Sequence, residues 1–476
     1  MKKLFGTDGI RSVAGQYPLD PPTIYAIGCA LAHSLAAGTP SPRVLLGMDT
    51  RESGPAIVAT LTAGLTACGA TVENAGVITT PAIAHLTHTH GFAAGIVISA
   101  SHNPWEDNGI KVFGPDGYKL PDATELAIEA EIFRQLNPVN ADVSFRADPE
   151  QAKRAEGVVE ETPHFDSSAS DLSNSPPVNE ADRADYIRFL LAAVPNLSLD
   201  NRRIVIDCAN GAASAVAPEL FAQLGGHDVV ITHASPDGRN INEHCGALHP
   251  EIVAAAVKHH KAQLGITFDG DADRALFADE NGNVVNGDAV LLLAARDLQS
   301  RGLLTNSTVI ATTMSNMGLE AALKRSGIQM LRAAVGDKYV LEQMLATNAA
   351  LGGEQSGHII FSGRSTTGDG LLTALLLLDI VHRSGKSLSE LIADLKVFPQ
   401  VIVNVKVREK RPLDSIAPVA AAIAAAEREL ADSGRVVIRY SGTEALARVM
   451  IEAESEILMR HHADTIANAI RAELGV

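Results

Sequence analysis

The chain has 476 residues, 46% of them hydrophobic and 4% aromatic, and this length predicts three or four domains at roughly 100–200 residues each. Its 39 basic and 56 acidic side chains give a net charge of −17, which argues against a nucleic-acid-binding protein because such proteins present a basic surface. The first residues lack the apolar core of a signal peptide, and no run of about 18 apolar residues occurs. We therefore expect neither secretion nor a membrane span, and we expect the four cysteines to be reduced thiols in a cytoplasmic protein.

Strand and helix patterns alternate along most of the chain, which is typical of α/β domains with parallel sheets. In chain order we predict helix Pro21–Ala37, strand Val44–Gly47, helix Pro55–Ala67, strand Ala94–Ser99, strand Arg203–Asp207, helix Ala215–Leu224, strand Val229–Thr232, strand Gly265–Phe268, helix Ala289–Gln299, strand Val309–Thr312 and helix Gly370–Val381. From about Pro399 the pattern changes to an α+β module with strand Val401–Val407, helix Ile416–Ala431, strands Arg435–Tyr440 and Ala447–Glu452, and a closing helix.

These patterns predict a domain organisation with one irregular segment. We expect α/β domains at 1–155, 181–286 and 287–395, a linker or insertion at 156–180, and an α+β domain at 396–476. The linker is assigned because the stretch from Glu156 is rich in Ser, Asp and Pro and has no sustained apolar period.

The first polar motif, Ser99–Pro104, follows the predicted strand that begins at Ala94. Ligands bind at the carboxyl ends of strands in α/β sheets, and a small hydroxyl residue there, such as Ser101, can act as a nucleophile or carry a phosphate. A plain turn is the alternative, since Ser, Asn and Pro are common turn residues.

The second motif places three carboxylates, Asp269, Asp271 and Asp273, directly after an apolar strand. Grouped acids repel one another unless a cation offsets them, and hard oxygen ligands suit Mg²⁺. A solvated acidic turn is the alternative. A calcium EF-hand is excluded because Arg274 occupies the position that requires Gly and the flanks have strand patterns.

The third motif, Gly353–His358, combines loop glycines with polar side chains. Glu354 offers a carboxylate, Ser356 a hydroxyl and His358 an imidazole, a set that can hold sugar hydroxyls. The alternative is a hairpin turn with exposed polar groups.

The fourth motif lies in the C-terminal module, where Arg439 and Arg448 flank the hydroxyls and turn amides of Ser441, Gly442 and Thr443. Two guanidinium groups beside such a turn form a reasonable phosphate cradle. A polar hairpin with surface arginines is the alternative.

In order and spacing, these motifs resemble the α-D-phosphohexomutase superfamily, and most closely the bacterial phosphoglucosamine mutases. The resemblance covers nearly the whole chain and rests on Phe5–Arg11, Gly47–Gly54, Ser99–Lys111, Asp269–Arg274, Gly353–His358 and Arg439–Glu444. The run Asp237–Glu251 and the side chain of Gln355 are similar to the glucosamine branch. Ala445 departs from the usual Pro, and Lys338 departs from the usual Arg, which exchanges a bidentate contact for a point charge.

The resemblance implies three related α/β domains and a C-terminal α+β domain around a central cleft. Ser101 would carry a phosphate and, through one phosphate oxygen, help Asp269, Asp271 and Asp273 to hold Mg²⁺. A sugar 1,6-bisphosphate would serve as intermediate and activator. The remaining implied roles are sugar binding by Glu354 and Ser356, phosphate binding by Lys338, Arg439, Ser441, Gly442, Thr443 and Arg448, proton transfer by Lys111, Arg11 and His358, and orientation of the serine and metal loops by Arg51 and Arg274. Base catalysis by Lys111 requires a lowered lysine pKa.

The implied activity is the interconversion of glucosamine 6-phosphate and glucosamine 1-phosphate, which feeds amino-sugar nucleotide and peptidoglycan precursor synthesis. The resemblance further implies a cytoplasmic homodimer whose partner is a small phosphosugar, with no membrane or nucleic acid. The alternatives are a phosphomannomutase/phosphoglucomutase, a sugar phosphatase, and a non-catalytic phosphosugar-binding protein.

Overall fold

A computed structural model describes residues 4–36, 38, 40–136, 176–441 and 445–476. The chain divides into two compact units, one formed by Met1–Thr313 with Arg332–Leu391 and the other by Met314–Leu331 with Ile392–Val476. Most of the predicted linker at 156–180 lies outside the described residues. Among the described residues, no helix is both long enough and apolar enough to cross a membrane.

The first sheet contains the strand that leads to the serine motif. Its elements are β1 (Ile10–Val13), α1 (Pro21–Ala36), β2 (Arg43–Met48), α2 (Gly54–Ala67), β3 (Thr71–Val77), α3 (Thr80–Thr89), β4 (Ala94–Ile98), β5 (Asp107–Phe113) and α4 (Asp122–Leu136). The strand order is β1-β5-β4-β2-β3. The sheet is mixed rather than wholly parallel, because β5 runs antiparallel to β4 and β1. Only eight residues separate β4 from β5, too few for the crossover that parallel strands require.

The second sheet has the same plan, with the acidic motif between two of its strands. Its elements are α5 (Glu180–Ala193), β6 (Ile204–Asp207), α6 (Ala213–Gln223), β7 (Val229–Thr232), α7 (Pro250–His260), β8 (Leu264–Phe268), β9 (Ala275–Ala278) and β10 (Val284–Val285). The order is β10-β9-β8-β6-β7, with β6, β7 and β8 parallel and β9 antiparallel to β8.

The rest of the first unit carries the sugar motif on a hairpin. The elements that follow in the chain are α8 (Gly287–Ser300), β11 (Thr308–Thr312), α9 (Met317–Arg325), β12 (Gln329–Ala333), α10 (Asp337–Thr347), β13 (Leu351–Gly353), β14 (Ile359–Phe361), α11 (Gly370–Ser384) and α12 (Leu388–Leu391). Of these, α9 belongs to the second unit, and β12 crosses back into the first. Strand β13 pairs in parallel with β11 and antiparallel with β14.

The second unit contains the predicted α+β module. Its elements after α12 are β15 (Gln400–Lys406), α13 (Ala417–Leu430), β16 (Gly434–Tyr440), β17 (Leu446–Ala453) and α14 (Glu456–Leu474). The order β15-β17-β16 is antiparallel throughout, and both helices contribute to the core beneath the sheet. The predicted fold class, three α/β domains followed by an α+β domain, is confirmed.

Burial explains why the polar motifs stand at strand ends. Every residue of β4 and of β8 is buried, so each strand is held by apolar contacts on both faces. Apart from Thr267 in β8, the side chains of these two strands are apolar, and the polar motifs follow the strands, with Ser101 after β4 and Asp269 after β8 in two sheets of one unit.

Candidate active site

The hydroxyl of Ser101 points at the first aspartate of the acidic motif. Ser101 Oγ donates a hydrogen bond to Asp269 Oδ2 at 2.6 Å, although the two residues are 168 positions apart. Ser101 has a left-handed backbone with φ of 54°, a conformation that L-residues other than Gly adopt rarely. Its N–H donates to Ser99 Oγ at 2.9 Å. The loop thus fixes a strained, buried serine beside a carboxylate, which excludes the plain exposed turn.

The side chain of Arg51 hydrogen-bonds the backbone of this loop. Its side chain is wholly buried, and Nε donates to Asp49 Oδ2 at 2.9 Å. Its Nη atoms donate to the backbone carbonyls of Ser101, Asn103, Pro104 and Asp107. Burial raises the pKa of Asp49 even though the Arg51 guanidinium acts in the opposite direction. The predicted orienting role of Arg51 therefore has a direct geometric basis.

The three aspartates of the acidic motif form a buried carboxylate cluster. One oxygen from each of Asp269, Asp271 and Asp273 lies within 4.8 Å of the others. Burial and the two neighbouring carboxylates raise the pKa of Asp269 well above its ordinary value. Within the described chain, Oδ1 of Asp271 and Oδ1 of Asp273 are buried and accept no hydrogen bond. Three hard oxygen donors with unused lone pairs fit a divalent cation, and a solvated acidic turn is excluded because all three side chains are buried.

Lys111 lies inside the carboxylate cluster rather than beside it. Its Nζ is 2.5 Å from Asp271 Oδ2 and 3.5 Å from Asp273 Oδ2. Burial acts to lower the pKa of Lys111, but the two carboxylates outweigh burial and raise it. Base catalysis by Lys111, which the resemblance implies, requires a lowered pKa, and lowering it requires the carboxylate charge to be engaged by another cation. Arg11, the other predicted cation, is 3.7 Å from Asp8.

Two contributors to the site have no obvious signal in the sequence. Thr80, at the start of α3, donates through Oγ1 to Asp271 Oδ2. Lys119 is partly buried and bonds Asp8 Oδ1 at 3.0 Å and Asp337 Oδ2 at 2.5 Å. These contacts join segments that are 111 to 218 residues apart. The one available hint was that Asp8 lies within the Phe5–Arg11 motif.

The sugar motif forms the turn between β13 and β14. Glu354 Oε1 accepts the N–H of Gly336 at 3.0 Å, and Ser356 Oγ donates to Glu354 Oε2 at 3.3 Å. The motif is therefore a hairpin turn, as the alternative prediction stated. Its polar groups, however, are half-buried and hydrogen-bonded rather than exposed. Lys338 pairs with Asp122. Among the described residues, it forms no hydrogen bond or ion pair with Glu354.

His358 connects the sugar hairpin to the carboxylate cluster. Its Nδ1 lies 3.6 Å from Asp273 Oδ1, and its Nε2 accepts the N–H of Gly368 at 2.9 Å. Burial acts to lower the pKa of His358, whereas Asp273 raises it and prevails. The Gly368 contact requires a lone pair on Nε2, which places the proton of the neutral ring on Nδ1, facing Asp273.

The phosphate motif lies in the second unit. Arg439 on β16 and Arg448 on β17 are direct register partners, so two positive side chains project from opposed positions of an antiparallel pair. Like charges placed this way repel, and an anion between them would relieve the repulsion. Ser441 is buried, and Lys410 Nζ donates to its carbonyl at 2.6 Å, a further cation that the sequence did not reveal. Gly442 and Thr443 lie outside the described residues.

A second group of potential metal ligands, Asp207, His233 and Cys245, lies in the second sheet. Asp207 already accepts the backbone N–H groups of Ala209 and Gly246 at 2.9 and 3.0 Å. His233 Nδ1 lies 3.1 Å from Asp207 Oδ1. The carboxylate therefore has a structural role at the end of β6.

Comparison with known proteins identifies the family. Models of phosphoglucomutase/phosphomannomutase domains match in sequence: α/β/α domain I at residues 2–138, domain II at 184–282, domain III at 286–398 and the C-terminal domain at 402–469. A phosphoglucosamine mutase of Koribacter versatilis is 57% identical over 479 residues, covering 100% of this chain and 98% of that protein. The chain belongs to the phosphohexomutase superfamily, in its bacterial phosphoglucosamine mutase branch.

Solved structures support the same phosphohexomutase fold. A phosphoglucomutase/phosphomannomutase family protein from Burkholderia thailandensis superposes with a TM-score of 0.75 at 24% identity and covers 100% of both chains. An Aspergillus fumigatus N-acetylphosphoglucosamine mutase, solved with GlcNAc-6P and magnesium, gives a TM-score of 0.62 at 20% identity, covering 99% of this chain and 96% of that one. The resemblance seen in the polar motifs is therefore confirmed at the level of family and fold.

Proposed function

We propose that this phosphohexomutase interconverts glucosamine 6-phosphate and glucosamine 1-phosphate, with Ser101 as the phosphoryl carrier. The observation that carries the proposal is the contact of Ser101 Oγ with Asp269 at the edge of a buried carboxylate cluster. The amino-sugar preference is supported by the Koribacter versatilis relative, which is named for that substrate.

The carboxylates of Asp269, Asp271 and Asp273 would hold Mg²⁺ together with a phosphoserine oxygen. When bound, the ion offsets negative charge on the phosphoryl group during transfer. The same ion accompanies GlcNAc-6P in the Aspergillus fumigatus neighbour.

Phosphoryl transfer begins from phosphorylated Ser101. A sugar hydroxyl attacks the phosphorus, the bond from phosphorus to Ser101 Oγ breaks, and a sugar bisphosphate forms. Ser101 Oγ then takes a proton and donates to Asp269, which is the hydrogen bond described here. In the return step Ser101 Oγ gives up its proton and attacks the phosphorus of the other phosphate, the bond from that phosphorus to the sugar oxygen breaks, and the sugar oxygen takes a proton as the isomeric monophosphate leaves. Lys111 and His358 are the proposed groups for moving the proton of the attacking hydroxyl.

The sugar must present each of its two ends to Ser101 in turn. Glu354 and Ser356 would hold its hydroxyls in both orientations, because the Gly336 N–H fixes the Glu354 carboxylate in advance. The proposed phosphate-binding groups are Arg439 and Arg448, with Ser441, Gly442 and Thr443, in the second unit and Lys338 in the first.

The test measures conversion of glucosamine 6-phosphate with Mg²⁺ and a catalytic sugar 1,6-bisphosphate, alongside glucose and mannose phosphates. We expect the highest kcat/KM with the amino sugar. Ser101→Ala should reduce kcat by a factor on the order of 10³ or more, because the covalent route is lost. Ser198→Ala, which deletes the same hydroxyl from an exposed turn, is the matched control and should behave as wild type.

Each outcome has a distinct meaning. Faster turnover of glucose or mannose phosphate would retain Ser101 chemistry and move the chain to the phosphomannomutase/phosphoglucomutase preference. Release of inorganic phosphate in place of the isomeric sugar phosphate would indicate a phosphatase. Equal turnover by Ser101→Ala and wild type would refute the phosphoserine mechanism.

A further inference from the structure

A loop from the domain of the second sheet binds the serine loop, Ser99–Pro104. Asn242 lies in the Asp237–Glu251 run, and its Nδ2 donates to the carbonyls of Ser101 at 3.0 Å and Asn103 at 3.2 Å. The side chain of Asn242 is buried, and its own N–H donates to Ala209 O at 2.9 Å. A fixed amide therefore holds the carbonyl of the phosphoryl-carrying residue from across a domain boundary.

Arg51 donates hydrogen bonds to the same two carbonyl oxygens as Asn242. Arg51 Nη2 donates to the carbonyls of Ser101 and Asn103 at 2.9 Å each. The carbonyl of Ser101 is also confined by Gly270, where an added Cβ would lie 2.4 Å from that oxygen and 3.0 Å from Asn242 Nδ2. The serine loop, the metal loop and the Asn242 loop thus meet at one carbonyl.

The surrounding loop is docked firmly enough for Asn242 to act as a fixed point. Glu52 N–H donates to Gly238 O at 2.9 Å, and the Arg239 guanidinium pairs with Glu52. The same guanidinium lies over the Trp105 ring, 4.9 Å from its centroid. These contacts attach the loop that bears Asn242 to Trp105, at one end of the serine loop, and to Glu52, which follows Arg51 in the chain.

We propose that Asn242 is a positioning residue, whose amide keeps Ser101 in its left-handed conformation so that Oγ faces Asp269 and the reacting phosphoryl group. A left-handed serine relaxes toward ordinary backbone unless its neighbours hold it. Losing one of the two donors to its carbonyl frees the peptide to rotate, and rotation turns Oγ away from Asp269. The inference rests on the proposed phosphoserine chemistry, though not on which sugar is preferred.

Asn suits this position for two physical reasons that guide the choice of variants. Asn242 itself has φ of 59°, and Asn, Asp and Gly tolerate this conformation better than Ala does. Asn242→Asp keeps shape and backbone but cannot donate, while Asn242→Gly removes the amide without adding charge. The matched control is Asn240→Asp, which removes an exposed amide donor that bonds Ser235 O in the same loop.

The experiment measures kcat and KM on the preferred hexose phosphate, together with single-turnover phosphorylation of Ser101 by glucose 1,6-bisphosphate, followed by intact-mass spectrometry. Both Asn242 variants should lose about 10–100-fold in kcat and in the phosphorylation rate, since a small misplacement of a reacting atom costs this much. KM should stay within about threefold and Tm should stay near wild type, because the sugar-binding groups are untouched. Asn240→Asp should match wild type.

Wild-type phosphorylation rates in both Asn242 variants would overturn the proposal, as would a loss confined to Asn242→Asp, which would reflect added charge. A loss of rate that merely follows a fall in Tm would also overturn it. Failure of the proposed function is distinguishable, since it would show in the wild type as absent turnover or an unphosphorylated Ser101.

Discussion

Replacing Arg51 by Met should release the serine loop, with a large and localised cost. The guanidinium is fully buried, pairs with Asp49, and donates to four loop carbonyls, so its removal leaves a buried carboxylate without its cation. Breaking a buried pair in this way costs about 3–5 kcal/mol. The carbonyl contacts are not added to this figure, because hydrogen bonds within one network are not additive.

The cost should appear in the segment that Arg51 holds. Hydrogen exchange followed by mass spectrometry would compare residues 99–109 with α14, which does not depend on Arg51. Protection of the 99–109 segment should fall by a factor on the order of 10²–10⁴, which corresponds to about 3–5 kcal/mol. Arg51→Lys retains the charge but presents a compact ammonium in place of the planar fork, so it should give an intermediate loss.

A double-mutant cycle tests whether the Asp49 pair is the cause. Asp49→Asn in the Arg51→Met background removes the stranded carboxylate, so the double variant should be less destabilised than the sum of the two single variants. Additive effects would show that the pair is not coupled. Unchanged exchange at 99–109 in Arg51→Met would refute the view that this side chain holds the loop.

Three other predictions follow from individual contacts. Mg²⁺ at a hundredfold excess over its Kd should stabilise the wild type by about 2.7 kcal/mol in thermal unfolding, and Asp271→Asn should lose most of this stabilisation. Equal stabilisation of the variant and the wild type would contradict the metal assignment. Burial raises the pKa of Asp369 to about 6, so its stabilising protonation is complete below about pH 4 and is lost as the pH rises through 6. Asp369→Asn keeps the helix cap through Oδ1, while its amide N–H donates to the Tyr186 hydroxyl, and its stability relative to wild type should rise by about 2 kcal/mol from pH 4 to pH 7; a pH-independent difference would exclude this linkage. Gly9 has φ of 84°, and a Cβ there would lie 2.3 Å from Ile110 O, so Gly9→Ala should destabilise by at least about 1–3 kcal/mol, and an unchanged Tm would refute the clash.

The sequence predicted those parts of the site that depend on local pattern. An apolar run followed by polar residues marks the end of a buried strand, and this rule alone located Ser101 after β4 and Asp269 after β8. The register of the last antiparallel pair likewise follows from two alternating strands joined by a short turn, which set Arg439 opposite Arg448. The strand direction of β5 was missed, because direction depends on connection length rather than on composition.

Contacts between distant segments could not be predicted in the same way. Thr80 and Asp271 are separated by 191 residues, and Asn242 and Ser101 by 141. No periodicity or propensity records which loops meet when separate sheets assemble, and Thr and Asn are common in loops for unrelated reasons. The direction of the Lys111 pKa shift could not be predicted for a related reason, since it depends on how closely the carboxylates of Asp271 and Asp273 approach its ammonium group.

The acidic balance of the chain, −17 overall, raises the question of how such a protein accommodates a phosphorylated sugar. Burial and the two neighbouring carboxylates raise the pKa of Asp269, so without a cation the cluster resists carrying three negative charges. A divalent cation held by Asp269, Asp271 and Asp273 would favour ionisation of all three carboxylates. Its two charges, with those of Lys111 and Arg274, would exceed the three carboxylate charges by one, so a phosphoryl group would be attracted. The surrounding acidic shell does not oppose this, because exposed charges beyond about 8–10 Å are screened by salt whereas the buried centre is not. The cluster therefore accounts both for the metal requirement we propose and for a phosphosugar site within an acidic protein.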